Sequence, residues 1–290
     1  MDDLTPWLTV ALLAMGLGAG TYGVLIGAGG GFIIAPLLIV VFDVDHEVAV
    51  GTSLVTVFLA STSGAASFLR LRQVDLRAAM LFSAAAIPGA VLGVVGLSHV
   101  PSGSFQIIYG VILVALGVYI ILQPRLDKAR DPDTPRAAVT NRSGWWSKVS
   151  SLGTRTSTVV TAQSGEYSYT YNEPMAVLTN GAFGFTAGFF GMGGGPLRTP
   201  ALVYLFHFPM VVAVSTSVVS QVLFTAIGSA AHAVDNNVEI VPALLIGTGM
   251  IVGAQIAVRT SRRFRPRGLM RLLSLALLGI GAQLIVSGVG

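Results

Sequence analysis

Gly191-Met192-Gly193-Gly194-Gly195-Pro196-Leu197-Arg198-Thr199-Pro200 places one arginine beside a glycine cluster inside a long apolar region. An earlier copy, Gly27-Ala28-Gly29-Gly30-Gly31-Phe32-Ile33-Ile34-Ala35-Pro36, precedes it by 164 residues (191 − 27 = 164), and that offset pairs positions 27 to 93 without a gap. Identities in this register include Phe42 with Phe206, Val48-Ala49-Val50 with Val212-Ala213-Val214, Thr52-Ser53 with Thr216-Ser217, Gly64 with Gly228, and Gly89-Ala90 with Gly253-Ala254. Each half of the chain is a version of the same unit, and an internal repeat takes precedence over any local reading.

Composition sets the medium. The 290 residues are 53% hydrophobic and only 10% charged, with a mean hydropathy of +0.77. Such a chain is too apolar for an ordinary soluble domain and reads as an integral membrane protein. Its apolar runs do not alternate as barrel strands do, and most approach or exceed the length that spans hydrocarbon, so they read as helices. The net charge of +4 comes from arginines clustered in a few loops, a positive-inside pattern rather than a nucleic-acid footprint. There is no cysteine, which excludes disulfides, thiol catalysis and cysteine metal sites. The opening Met1-Asp2-Asp3-Leu4-Thr5-Pro6 lacks a basic stretch and the apolar run after it outlasts a signal peptide, so it is expected to be retained.

The apolar segments lie at about 7–26, 31–42, 48–69, 76–97 and 105–122, and again at about 175–190, 197–206, 211–234, 240–258 and 269–286. The fold class is therefore an all-α polytopic membrane protein: a first repeat at 1–122, a linker at 123–174 and a second repeat at 175–290. The second segment of each half is short and carries a proline, so it is expected to be tilted, broken or re-entrant. Arg70, Arg72 and Arg77 place one loop of the first half in the cytoplasm, whereas its counterpart Asp235-Asn236-Asn237-Val238-Glu239 is acidic. The next loop reverses the sign: Ser98-His99-Val100-Pro101-Ser102-Gly103-Ser104 has no Lys or Arg, while Arg259, Arg262, Arg263, Arg265, Arg267 and Arg271 crowd its partner. Equivalent loops on opposite sides mean inverted-topology repeats, with both termini outside the cell membrane and the linker cytoplasmic. That linker is basic (Arg125, Lys128, Arg130, Arg136, Arg142, Lys148, Arg155), with Trp145-Trp146 suited to headgroup depth. Polar alternation from Thr156 to Tyr171 around Gln163-Ser164-Gly165-Glu166 predicts a hairpin, and a connector without chemistry is the competing reading.

Three consecutive glycines in hydrocarbon suit a helix break where backbone approaches something small. A helix beginning after Gly195, with Pro196 at its first position, would aim a positive end and orphan N–H groups at a cavity, a nest suited to an oxyanion. Gly29, Gly30 and Gly31 with Gly193, Gly194 and Gly195 would then hold one small anionic substrate between the two halves. Close helix packing by small residues is the alternative. No lysine follows for a P-loop, and Gly27 to Phe32 lacks the last glycine of a dinucleotide fingerprint, so no nucleotide cofactor is expected.

Arg198 aligns with Ile34, so the repeat does not need it to fold, and an intramembrane guanidinium is costly unless it meets an anion or reaches an interface. Thr52, Ser53, Thr216 and Ser217 offer neutral hydroxyls to an anion or bond to neighbouring helices instead. Gln221, which aligns with Val57, is a mid-span amide placed to line the path. His232 sits near the outer end of its span and reads as interfacial; His46, His99 and His207 sit at segment ends and read as solvated. No His or carboxylate cluster has metal spacing, so no metal is expected. Every Asp and Glu falls in a terminus or loop, which leaves no buried acid for a proton relay or sodium site. A membrane potential, negative inside, favours anion exit by ~2.3 kcal/mol per charge per 100 mV.

The two glycine motifs, Gly27 to Pro36 and Gly191 to Pro200, each followed by Ala-Val-x-Thr-Ser at Ala49 to Ser53 and Ala213 to Ser217, resemble those of the sulfite exporter TauE/SafE family of membrane transporters. The resemblance covers nearly all of the chain except the linker. It implies export of sulfur-containing oxyanions or organosulfonates, and carries Gly29, Gly30, Gly31, Thr52, Ser53 and their partners Gly193, Gly194, Gly195, Thr216 and Ser217 into the pattern. Arg198 rests on the physical argument alone. The expected function is export of sulfite or an organosulfonate by alternating access. An anion channel, or a sensor signalling through the linker, is the alternative, and no nucleophile or acid/base pair in the spans supports an enzyme. Expected partners are a small anion and the lipid bilayer, without nucleic acid; the oligomeric state, a homo-oligomer included, is open.

Overall fold

A computed structural model describes residues 5–122, 153–161, 165–261 and 266–289. Ten helices are present among them: α1 (Pro6–Leu25), α2 (Gly31–Phe42), α3 (His46–Arg70), α4 (Leu76–Leu97), α5 (Ser102–Leu122), α6 (Glu173–Phe190), α7 (Gly195–Tyr204), α8 (Met210–Val234), α9 (Ile240–Thr260) and α10 (Pro266–Val289). The expected segments all appear; α3, α5, α6 and α10 start two or three residues before their apolar runs, and α7 is shifted two residues toward the N-terminus. Asp45 caps α3 through Glu47 N, Asp75 caps α4 through Ala78 N, and Asn172 caps α6 through Met175 N. Six helices, α1, α3, α4, α5, α8 and α9, are long and apolar enough to cross a membrane. Trp145-Trp146, Gln163-Ser164, the linker's basic residues before Arg155, Arg262, Arg263 and Arg265, and the side chains of Arg267 and Arg271 lie outside the described residues.

Backbone geometry follows the 164 offset. Left-handed glycines fall at Gly27, Gly29 and Gly30 and again at Gly191, Gly193 and Gly194; the left-handed non-glycines pair as Asp43 with His207 and Arg72 with Asn236. Packing is exchanged between halves in the same way: α1 lies along α9 and α6 along α4, α3 meets α8 and α9 while α8 meets α4, and α5 meets α10. The close approaches are made at small residues. A Cβ on Gly16 of α1 would lie 2.1 Å from the Ile246 carbonyl oxygen of α9, and one on Gly184 of α6 would lie 2.0 Å from that of Ala86 in α4. Gly64 faces Val218 and Gly228 faces Leu54, so α3 and α8, equivalent in the repeat, run antiparallel; Gly110 against Gly281 and Gly117 against Ser274 show the same for α5 and α10.

Gly31 packs beside Val57, at the middle of α3, and α2 ends three residues before α3 begins. α2 therefore starts at mid-depth and returns to the end of the bundle where α3 starts, a re-entrant course. α7 repeats this against α8, since Gly193 lies by Val57 and Gln221.

The two ends of the bundle differ in charge. Asp43, Asp45, Glu47, Asp235 and Glu239 lie at the end where α3 begins, without Lys or Arg among the described residues. Arg70, Arg72, Arg77, Arg155 and Arg259 lie at the other, together with Glu166, Glu173, which pairs with Arg77, and Asp75, which is buried against the expectation of no buried acid. At that second end β1 (Thr154–Thr161) pairs antiparallel with β2 (Gly165–Asn172), as the alternation predicts. The hairpin docks through Ser157 Oγ and Tyr169 OH, which donate to the Asp75 carboxylate at 2.5 and 2.7 Å, and through Tyr169 and Tyr171 packed on Phe208.

Candidate functional site

The two glycine loops meet inside the bundle, and both are buried. A Cβ on Gly31 would come within 2.2 Å of the Gly191 carbonyl oxygen, and one on Gly195 within 2.3 Å of Ala28 Cα, so only glycine permits this approach. The N–H groups of Gly30 and Gly31 in one loop, and of Gly194 and Gly195 in the other, make no backbone hydrogen bond among the described residues. They stand at the starts of α2 and α7, where orphan donors and the helix dipole favour negative charge.

Carbonyls at the other edge of each loop are held by the opposite half. Ser53 Oγ donates to Gly191 O at 2.6 Å, and its counterpart Ser217 Oγ donates to Gly27 O at 2.9 Å. Gln221 also donates through Nε2 to Gly27 O at 2.8 Å, while its Oε1 accepts from Ser61 Oγ at 3.3 Å and faces Gly29 and Gly193. Thr199 adds a contact to Gly27 O at 3.3 Å. The structure thus brings the six glycines, Ser53, Ser217 and Gln221 together, with the serine hydrogens spent on loop carbonyls. Thr52 and Thr216 point the other way. Thr52 Oγ1 accepts from Glu239 N at 3.0 Å and Thr216 Oγ1 from Asp75 N at 3.1 Å, so each tethers the start of the opposite half's α9 or α4, toward opposite ends of the bundle.

Arg198 lies in the first turn of α7, its amide bonded to Gly194 O at 3.0 Å. It is 0% exposed and is the largest fully buried side chain described. Nη1 donates to Ser220 Oγ at 2.8 Å, and the guanidinium carbon lies 4.6 Å from the centroid of the Phe224 ring. Nε and Nη2 have no hydrogen-bond partner, and no carboxylate lies within 4.0 Å of the group among the described residues. Interfacial snorkelling does not describe this residue. Burying a cation costs several kcal/mol, roughly, unless a counter-charge arrives.

Ser220 and Phe224 were not singled out by sequence. Their signal is helical spacing: Ser217, Ser220, Gln221 and Phe224 fall at i, i+3, i+4 and i+7 on one face of α8. Ser83 of α4 reaches the same place, donating to Ser220 O at 2.8 Å. His232 is a correction: it is 0% exposed rather than interfacial, with Nε2 3.1 Å from Gly188 O, because α6 and the start of α3 cover the last turn of α8. His46 is also buried, held by Ser102 at 2.9 Å and packed on Phe105, whereas His99 and His207 are exposed. Among the described residues no group of three or more His, Cys, Asp or Glu is placed to hold a metal.

The chain is similar to probable membrane transporter proteins across nearly its full length. YunE of Bacillus subtilis is 28% identical over 97% of this chain and 98% of its own, and YjnA of the same organism 27% identical over 96% and 100%. A probable membrane transporter of Methanocaldococcus jannaschii is 24% identical over 93% and 92%. No solved structure matches. The family model for sulfite exporter TauE/SafE matches residues 12–284, and the chain belongs to that family of multi-pass membrane transporters.

Proposed function

We propose that this protein exports a small sulfur-containing anion, sulfite or an organosulfonate, across the cell membrane by alternating access, and that the anion is held by Arg198 and the two glycine loops. The observation that carries the reading is the buried guanidinium with two free donors and, among the described residues, no carboxylate within 4.0 Å. A membrane protein that inserts this cation without a partner gains from an anion that supplies one. The loop N–H groups without backbone partners add dipoles, and family membership supports a sulfur anion as cargo.

Orientation follows from charge. The arginine-bearing end, with the hairpin, is the cytoplasmic one, so both termini face outward and the linker inward. The two membrane units, 1–122 and 175–290, are inverted repeats; the antiparallel run of α3 with α8 and of α5 with α10 supports this. Reciprocal Ser53 and Ser217 bonds hold each loop to the opposite half, so a movement that releases one loop at a time would expose the anion to one side at a time.

The test is uptake of radiolabelled sulfite, sulfate and taurine into proteoliposomes, with and without an imposed potential. Saturable, potential-sensitive flux of one of them, lost in Arg198→Ala, supports the assignment. A folded, inserted protein that moves none removes these substrates. Non-saturating flux would assign a channel instead.

A further inference from the structure

Resting on that reading, we propose that the Arg198 site takes a singly charged anion presenting two oxygens on one atom, a sulfonate-type head group, and discriminates against dianions such as sulfate and spherical anions such as chloride. Two independent features of the surroundings of Arg198 lead there.

The first is shape. Nη1 is tethered to Ser220 Oγ, which in turn donates to Ser217 O at 2.9 Å, and one face of the guanidinium is taken by Phe224. The group is fixed in place by α8. Its two free donors, Nε and Nη2, share one edge and point the same way. That edge matches two oxygens on a common atom, each met along one N–H axis, whereas a single spherical ion meets both N–H groups only between their axes.

The second is charge. Arg198 is the one buried Lys or Arg among the described residues. The equivalent place in the first half holds Ile34, Thr56 and Ala60, 164 residues before Arg198, Ser220 and Phe224, and all three are buried and uncharged. The repeat therefore supplies the glycine loops twice and the cation once. One negative charge neutralises the site. A second would remain uncompensated in this buried place, since the loop N–H groups offer dipoles, not charge. By the same count, sulfite is carried as its singly protonated form, so sulfite flux rises as pH falls.

The experiment records currents from the reconstituted full chain on a solid-supported membrane, with methanesulfonate, formate, sulfate and chloride at equal concentration, for the wild type and Arg198→Lys. Methanesulfonate is expected to give a saturable current at least tenfold above sulfate and chloride. The lysine variant keeps the charge without the fork and is expected to lose at least tenfold for methanesulfonate. Sulfate or chloride matching methanesulfonate in the wild type overturns the proposal, as does full methanesulfonate current in a folded lysine variant. Should that variant not fold, the wild-type order decides alone. Formate current lost in the lysine variant, without methanesulfonate current, keeps the fork and removes the sulfur assignment. Equal sulfite and sulfate flux keeps the transport reading and removes the selectivity. No current with any anion removes both.

Discussion

The hairpin at the arginine-bearing end of the bundle is hydrogen-bonded to the helices through the Asp75 carboxylate, and Tyr169→Phe isolates one of those bonds. The substitution deletes the hydroxyl that donates to Asp75 at 2.7 Å and leaves the ring, whose centroid is 4.4 Å from that of Phe208, in place. A hydrogen bond to a charged acceptor contributes about 1.5–3 kcal/mol. Since about 1.4 kcal/mol is tenfold in an equilibrium constant, the docked fraction falls relative to the undocked by roughly 10- to 150-fold. Ser157 still donates to the same oxygen at 2.5 Å, so the lower half of that range is expected. Asp75→Ala removes both bonds together with the α4 cap, and its effect should exceed the single variant by about another tenfold or more. Hydrogen exchange read by mass spectrometry over β1, β2 and the first turn of α4 measures it. A change under about twofold in Tyr169→Phe, with the Tyr171–Phe208 packing kept, would show that the aromatic cluster rather than the carboxylate holds the hairpin.

Other outcomes follow from the same contacts. Burial, then the Asp75 carboxylate, raises the Tyr169 hydroxyl well above its usual 10.0, and burial pushes Tyr171 up to about 12. Undocked tyrosines ionise first, so docking is fully stable below about pH 10 and weakens as pH rises toward the docked values; exchange at pH 8 and pH 11 checks the sign. Gly31→Ala drives a Cβ against the Gly191 carbonyl oxygen at 2.2 Å, so it should cost about 3 kcal/mol or more and lower the yield of folded protein in detergent. Ser53→Ala strips Gly191 O of the one donor it has among the described residues and should lower thermal stability by about 1–3 kcal/mol. Ser217→Ala should cost less, about 0.5–1.5 kcal/mol, because Gly27 O keeps Gln221 Nε2 and Thr199 Oγ1. Gly194→Ala, at φ 70°, should cost roughly 1–2 kcal/mol for the left-handed backbone alone and more in all, because its Cβ would stand 2.7 Å from the Phe183 carbonyl oxygen; thermal unfolding in detergent measures it.

Most of the fold was legible because the medium simplifies the code. Hydrocarbon requires apolar runs of helical length, and these matched α2 and α4 to the residue; the proline-bearing short segments left tilted, broken and re-entrant courses open, a choice that depends on how the loops pack. Boundaries slipped where polar residues begin a helix, as at His46, since Asp45 caps it before the apolar run starts. The site was legible as a set of residue types, less so as a set of bonds. That Ser53 and Ser217 hold the opposite half's glycine loops, and that Thr52 and Thr216 face away, depends on how two re-entrant helices cross, which no local pattern encodes. Ser220 escaped notice because a serine in a membrane helix ordinarily bonds its own helix, as it does here to Ser217 O; only the side chain arriving from α7 gives it a second role. His232 was misplaced for a similar reason: position along a span indicates depth, whereas burial depends on which neighbour covers it.

The most direct measurement is an experimental structure of the protein with bromomethanesulfonate, in which the anomalous signal of bromine locates the anion. The expected result is a peak beside the Nε and Nη2 edge of Arg198, with sulfonate oxygens within hydrogen-bond distance of both, and no peak there in Arg198→Ala. A peak confined to the bundle surface, or an empty Arg198 edge at a concentration that saturates transport, would contradict an anion site at the meeting of the two glycine loops.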